Sequence, residues 1–308
     1  MKKIEIQKSP IHNEADQHVA DMHSFINLLN VLAGVLIILD GEVSRKNKEL
    51  MDLVDEVVEL ANAIRKKDKV PYALESIKAM VPVVLDLVEN LRQESEDDAE
   101  RAAADYACTN LRSIFDITGE RIEELETRAE NPDIWVDMDV RELEQKFIRF
   151  FKSVEKNSNN CYKIQFNLAD KEESDYYLDL RIQSDREDGR LYIPLRLIDI
   201  LRDLSANARK FTNPGSRIVL DVYQNDEAIK CRIEDDGLGI PDQEMHKVVE
   251  FGYRASNVLD RETKGGGFGL TKAAWLILSW GGRLIISSEE DKGSLFSIWI
   301  PVKSAAQE

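Results

Sequence analysis

The chain has 308 residues, enough for two domains, with 58 acidic and 41 basic side chains and a net charge of −17. That balance excludes non-specific binding to nucleic acid or to an anionic membrane surface. Cys108, Cys161 and Cys231 are odd in number and lack metal-ligand spacing, so they read as reduced thiols of a cytoplasmic protein.

The first elements are helical. No secretory signal opens the chain, because its first twenty residues are polar. From Glu14 onward, glycine is scarce and apolar residues recur at helical spacing. Leu50, Leu53, Val54, Val57, Leu60, Ala61 and Ile64 form one stripe; Leu74, Ile77, Val81, Val84, Leu87, Val88 and Leu91 form a second. A third runs through Ala102, Ala103, Tyr106, Leu111, Ile114, Thr118, Ile122 and Leu125. Lys66-Lys-Asp-Lys-Val-Pro71 interrupts the pattern, and Pro71 suits the first turn of a new helix. The expectation is one long hairpin over 14–130, with arms of about fifty residues and about 75 Å each. So long a hairpin has little core of its own, which predicts a homodimer closing a four-helix bundle. Two places weaken the arms. Asp40-Gly41 is able to end a first helix, and Glu94 to Glu100 is an acidic run expected on a solvated face. The longest apolar run, Leu28 to Leu39, is too short to span a bilayer.

After Pro132 the pattern changes. Val140 to Val154 reads as an amphipathic helix, and Cys161 to Leu168 and Tyr176 to Gln183 read as strands separated by polar turns. Leu201 to Phe211 is a helix with Leu201, Leu204, Ala208 and Phe211 facing inward, which leaves Asp203, Asn207 and Lys210 on a neighbouring face. Ile229-Lys-Cys-Arg-Ile233 alternates as a half-buried strand and runs into Glu234-Asp-Asp-Gly-Leu-Gly-Ile240. Lys264-Gly-Gly-Gly-Phe-Gly-Leu270 then leads into an apolar helix over Leu270 to Leu278. Gly281-Gly-Arg-Leu-Ile-Ile-Ser-Ser and Gly293-Ser-Leu-Phe-Ser-Ile-Trp-Ile-Pro301 close the chain. This order describes an α/β sandwich over 133–303.

In this sequence and at these distances, the motifs resemble the ATP-binding domain shared by gyrase-type topoisomerases, large heat-shock chaperones, histidine kinases and mismatch-repair proteins. The ending Phe296-Ser-Ile-Trp-Ile-Pro301 is most similar to the histidine-kinase branch. The resemblance implies ATP and Mg²⁺. A carboxylate at Asp235 is able to accept the exocyclic amine of a buried adenine, and Gly237 and Gly239 let backbone approach the ring. Asn207 offers a neutral oxygen to Mg²⁺, and Lys210 neutralises phosphate. Gly265, Gly267, Gly269 and Leu270 present backbone N–H groups to phosphate at a helix start. Arg254 to Thr263 is polar, as a mobile lid over ATP would be.

With that domain in view, Asp21-Met-His-Ser-Phe-Ile-Asn-Leu-Leu29 resembles the phosphoacceptor box of histidine kinases, H-E-x-R-N-P-L. His23, Phe25, Asn27 and Leu29 match, while Ser24, Ile26 and Leu28 depart. In the family the acid after the histidine is thought to take a proton from it. Serine cannot, and Asp203, one turn before Asn207, is the substitute the sequence offers. The implied activity is autophosphorylation on His23 followed by transfer to an aspartate of a response-regulator receiver domain. The alternative is a transfer-only or non-catalytic ATP-binding adaptor of the same fold. The residues before Glu14 leave no room for a sensor domain, so the signal is expected from a partner such as a separate sensor protein, from the long bundle itself, or not at all. No nucleic-acid or membrane partner is expected.

Overall fold

The computed structural model describes residues 1–11, 13–43, 47–156, 162–259 and 266–302. The chain forms two compact units, Asp21–Glu130 and Met1–Ala20 with Asn131–Glu308.

The first unit is helical, but each expected hairpin arm breaks once. Helices α1 (Glu14–Glu42, whose first turns precede the division), α2 (Lys48–Ile64), α3 (Val70–Glu94) and α4 (Asp98–Glu130) replace the two long ones. Both new breaks have local causes. Asn47 caps α2, its Oδ1 accepting the amides of Glu49 and Leu50 at 2.9 and 3.2 Å, and its own amide donates to Asp40 Oδ1 at 2.9 Å. Asp97 caps α4, its Oδ1 accepting from the amides of Ala99 and Glu100 at 2.6 and 3.2 Å. The acidic run therefore contains a helix stop and start as well as solvated charge. Pro71 sits in the first turn of α3, as its spacing implies.

Contacts between helices give their directions. Lys78 near the start of α3 pairs with Glu126 near the end of α4 at 2.6 Å, and Arg92 near the end of α3 with Asp105 near the start of α4 at 3.5 Å. Asp21 of α1 pairs with Arg128 at 3.5 Å, and Ser24 meets Arg121. So α4 is antiparallel to α1 and α3, and α2 packs along α3 beyond a tight turn. All four helices share one core that includes Phe25, Leu29, Leu32, Leu36, Leu50, Ile64, Ile77, Val84, Leu111 and Ile114. A single chain thus closes a four-helix bundle. His23 lies level with Arg121 to Arg128 of α4, not with Ile114 and Phe115 as a single reversal near Asp68 would place it. Each fully buried Leu or Phe stabilises the bundle by about 1.5–3 kcal/mol. By length and composition α1 would also suffice to cross a membrane, and its inward face belongs to this core.

The second unit is an α/β sandwich. Among the described residues its main sheet has seven strands in the order β1-β8-β9-β7-β6-β4-β3. They are β1 (Lys2–Glu5), β3 (Ile164–Gln165), β4 (Tyr176–Ser184), β6 (Arg217–Gln224), β7 (Ala228–Asp235), β8 (Arg283–Glu289) and β9 (Gly293–Pro301). A separate ribbon pairs β2 (Trp135–Asp139) with β5 (Arg190–Pro194). Helices α5 (Val140–Lys156), α6 (Arg196–Lys210) and α7 (Gly269–Ser279) share a core with the sheet. The alternation in β7 works as the sequence implies: Ile229, Cys231, Ile233 and Asp235 turn inward, Lys230 and Arg232 outward. The expected strand over 161–168 is only two residues long where described, because Leu168–Asp170 turns back as a short 3-10 helix capped by Asn167. The edge strand β1 lies antiparallel to β8, from Lys2 opposite Ser288 to Glu5 opposite Ile285.

Candidate functional site

The inward alternation of β7 carries Asp235 to the strand end, buried beneath the following loop. Its Oδ1 accepts the amide of Gly237 at 2.9 Å. Burial pushes its pKa up to about 6; hydrogen bonds from the Gly237 and Ser294 amides oppose that rise, and Asp236 and Glu234 add to it. The carboxylate keeps lone pairs for a further donor. The loop closes tightly around it. A Cβ at Gly237 would meet the Phe211 carbonyl and the Asp235 carboxylate, and one at Gly239, where φ is +62°, would overlap the carbonyl of Glu289. The Leu238 amide donates to Phe211 O at 3.0 Å, so the glycine loop is tied to the end of α6. Asn257 adds a tie that sequence reasoning missed: its Nδ2 donates to the carbonyls of Leu238 and Gly239 at 3.3 and 3.1 Å.

On α6, Asp203 and Asn207 come together against the first turn of α7, with Lys210 at the end of α6. A Cβ on Gly269 would stand 3.4 Å from Asp203 Cβ and 3.6 Å from Asn207 Nδ2. That puts the first turn of α7 in van der Waals reach of α6. Gly267 has φ +75°, and a Cβ there would lie 2.6 Å from Tyr253 O. The amides of Gly269, Leu270 and Thr271 open α7 without helical acceptors, and the helix dipole favours an anion there. Half-buried Lys210 has its pKa lowered, first by desolvation and then by Arg209 and Arg254, with Asp203 opposing. Such a cation gains from an incoming anion. Gly265 lies outside the described residues, as does the expected lid beyond Leu259. Before it, Arg254 donates to Val258 O at 2.8 Å and Ser256 is held by Glu244. A buried acceptor, a glycine cradle, a cationic helix end and an open helix start fit adenine plus phosphates. Asn207 would hold Mg²⁺ together with phosphate oxygens.

Lys272 was also missed. It is fully buried in α7 and ion-paired with Asp203. Its signal was a lone charge in the apolar run Leu270-Thr-Lys-Ala-Ala-Trp-Leu-Ile-Leu278.

In the bundle, half-buried His23 is one turn from Asn27, with Nε2 3.0 Å from Asn27 Nδ2. With the amide as donor, Nε2 carries the lone pair and Nδ1 the proton. Ser24 Oγ accepts from Arg121 Nη2 at 2.7 Å, and buried Arg121 also pairs with Glu124 at 3.2 Å.

Comparison with known proteins bears on the second unit. Residues 192–304 match the family described as histidine kinase-, DNA gyrase B-, and HSP90-like ATPase. This segment of the chain is similar to the ATP-binding domains of that family. The circadian input-output histidine kinase CikA of Synechococcus elongatus is 33% identical over 124 residues, covering 40% of this chain and 16% of that protein. The aerobic respiration control sensor protein ArcB of Escherichia coli is 34% identical over 114 residues, covering 37% of this chain and 15% of ArcB. The chain therefore spans about a sixth of the length of these relatives. Among solved structures, full-length ShkA in complex with AMPPNP is similar with a TM-score of 0.46 at 15% identity, covering 78% of this chain and 47% of that one. The mycobacterial sensor histidine kinase MprB gives 0.38 at 20% identity, over 55% of this chain and 97% of that one.

Proposed function

We propose that the protein is a two-component histidine kinase that moves the γ-phosphoryl group of ATP to His23 and then to an aspartate of a response-regulator receiver domain. We further infer that it works in the cytoplasm as a homodimer. The supporting observation is that one chain joins a histidine-kinase-like ATP-binding domain to a helical bundle that carries half-buried His23, hydrogen-bonded to Asn27. In this reading Asp235 accepts the adenine amine, while Gly237 and Gly239 admit the ring. Lys210 and the amides of Gly267, Gly269 and Leu270, with Gly265, meet the phosphates. Mg²⁺ at Asn207 supplies neutralisation of the phosphate charge. Neutral imidazole already has a lone pair near pH 7, its reference pKa being about 6.5, so attack needs no base to begin. The proton on the other ring nitrogen leaves afterwards, to water, phosphate or Asp203.

Ser24 brings no carboxylate, and its hydroxyl is engaged by Arg121. A glutamate installed there would meet that guanidinium first. Incubation with γ-labelled ATP should give slow, acid-labile and base-stable label that His23→Gln abolishes. Ser24→Glu should increase it less than Ser24→Glu with Arg121→Gln. No label in the wild type or in the double variant, with His23 still accepting phosphate from a phosphorylated regulator, would establish the transfer-only alternative.

A further inference from the structure

The α6–α7 seam carries a charge pair that nucleotide binding as described does not use. Lys272 is 0% exposed, and its ammonium is ion-paired with Asp203. A buried ammonium is costly unless paired, and an apolar pair of similar volume generally serves stability as well or better. A buried ion pair is therefore weak evidence for a purely stabilising role, and its place in the fold matters more. Asp203 stands one turn before Asn207 on the same face of α6. Lys272 lies in the first turn of α7, its amide donating to Phe268 O at 2.8 Å. Across that seam Gly269 approaches both Asp203 and Asn207. The same turn is fastened on its other side by Thr271 Oγ1, which donates to the carbonyls of Glu250 and Gly267 at 3.0 and 3.3 Å.

We propose that Lys272 is a positioning residue for the triphosphate: through Asp203 it pins the first turn of α7 to α6, so that the α7 amides and Asn207 converge on the terminal phosphates. The proposal rests on the ATP-binding reading and deepens it. The pair has a second consequence. A bare carboxylate one turn from Asn207 would repel the β- and γ-phosphates, and Lys272 offsets its charge. Asp203 also faces Lys210, so the two lysines share one acid between the seam and the phosphate side. Adenine, held by Asp235 on the far side of the loop, is untouched by the pin. Lys272 therefore acts on the phosphates and not on the base.

The test compares AMP with Mg·AMPPNP by competition titration on the full chain, with urea unfolding alongside. The variants are Lys272→Met and the apolar pair Lys272→Met with Asp203→Leu, the latter removing both charges of the pair. The expected result is AMP affinity within about twofold of wild type and Mg·AMPPNP affinity weaker by about tenfold or more, in a protein whose urea midpoint is retained in the double variant. Equal losses for both ligands, or an unchanged Mg·AMPPNP affinity, would overturn it. Failure of both variants to fold would overturn it too, by making the pair a purely structural requirement. A wild type that binds neither ligand removes the ATP reading itself, which separates the two failures.

Discussion

At the scale of single residues, Asp235 offers the sharpest lever, because burial raises the pKa of the group proposed to read the base. Its folded-state pKa of about 6 exceeds the ordinary 3.8. The folded chain therefore holds this proton more tightly than the unfolded one. Its contribution to stability is greatest below pH 4, declines as pH rises from about 4 to about 6, and is level above. Nucleotide binding runs the other way. The ionised carboxylate is the stronger acceptor for the adenine amine, so affinity for ADP should fall as pH drops through about 6. Asp235→Asn should remove that pH dependence and weaken ADP binding by about 1.5–3 kcal/mol, roughly ten- to a hundredfold, because a buried amine loses a charged acceptor. Calorimetric titration at pH 5.5 and 7.5 reads both effects. Wild-type affinity that is flat over that interval, or an Asn variant that binds as tightly, would take Asp235 out of the adenine site.

At the scale of elements, short polar side chains decide where the bundle turns. Asn47 and Asp97 each satisfy two amides at a helix start, and each precedes an apolar stripe. Asn47→Ala and Asp97→Ala should each cost about 1 kcal/mol, read as a lower urea midpoint at constant slope. A loss below about 0.5 kcal/mol, the lower end of the usual cap value, would mean the turns are set by core packing. Neither cap was read from the sequence. A stripe of period near 3.5 identifies a helix but is silent about where the chain reverses, so the capping residues had to arbitrate, and the acidic company of Asp97 disguised it. The glycine-bearing loops of the ATP-binding domain were legible for the opposite reason. Gly239 and Gly267 occupy backbone states and close approaches that few other residues tolerate, so their spacing survives as a pattern. Pairings that depend on distant partners left little trace. Lys2 to Glu5 looks like a polar leader until β8 stands beside it, and Arg190 to Pro194 takes its partner from residues 135–139. Lys272 was visible only as an anomaly, a charge in an apolar helix, because its meaning lies in Asp203 on another helix.

At the scale of the whole molecule, the bundle changes what a homodimer would look like. Four helices from one chain already fill a core, so a second copy has no vacant half-bundle to complete. One helix nonetheless remains apolar beyond its buried stripe. On α1, Leu32, Leu36 and Leu39 are enclosed, while Ile37 and Ile38 are 51% and 54% exposed beside half-buried Val31 and Val35. A helix apolar on both sides is suited to burial on both sides, so the proposed homodimer would place this outer face of α1 against its equivalent. Burying the exposed halves of four such isoleucine side chains, two per copy, would stabilise association by about 0.8–1.5 kcal/mol each before the cost of bringing two bodies together. The chain's charge of −17 works against association at low salt and is screened at higher salt. Light scattering at micromolar concentration and moderate salt should therefore return twice the 35.2 kDa chain mass. Ile37→Glu with Ile38→Glu should return the monomer mass, with the helical circular dichroism unchanged because neither residue enters the core. A wild type that is monomeric over this range would end the homodimer proposal. A variant that stays dimeric would move the interface elsewhere.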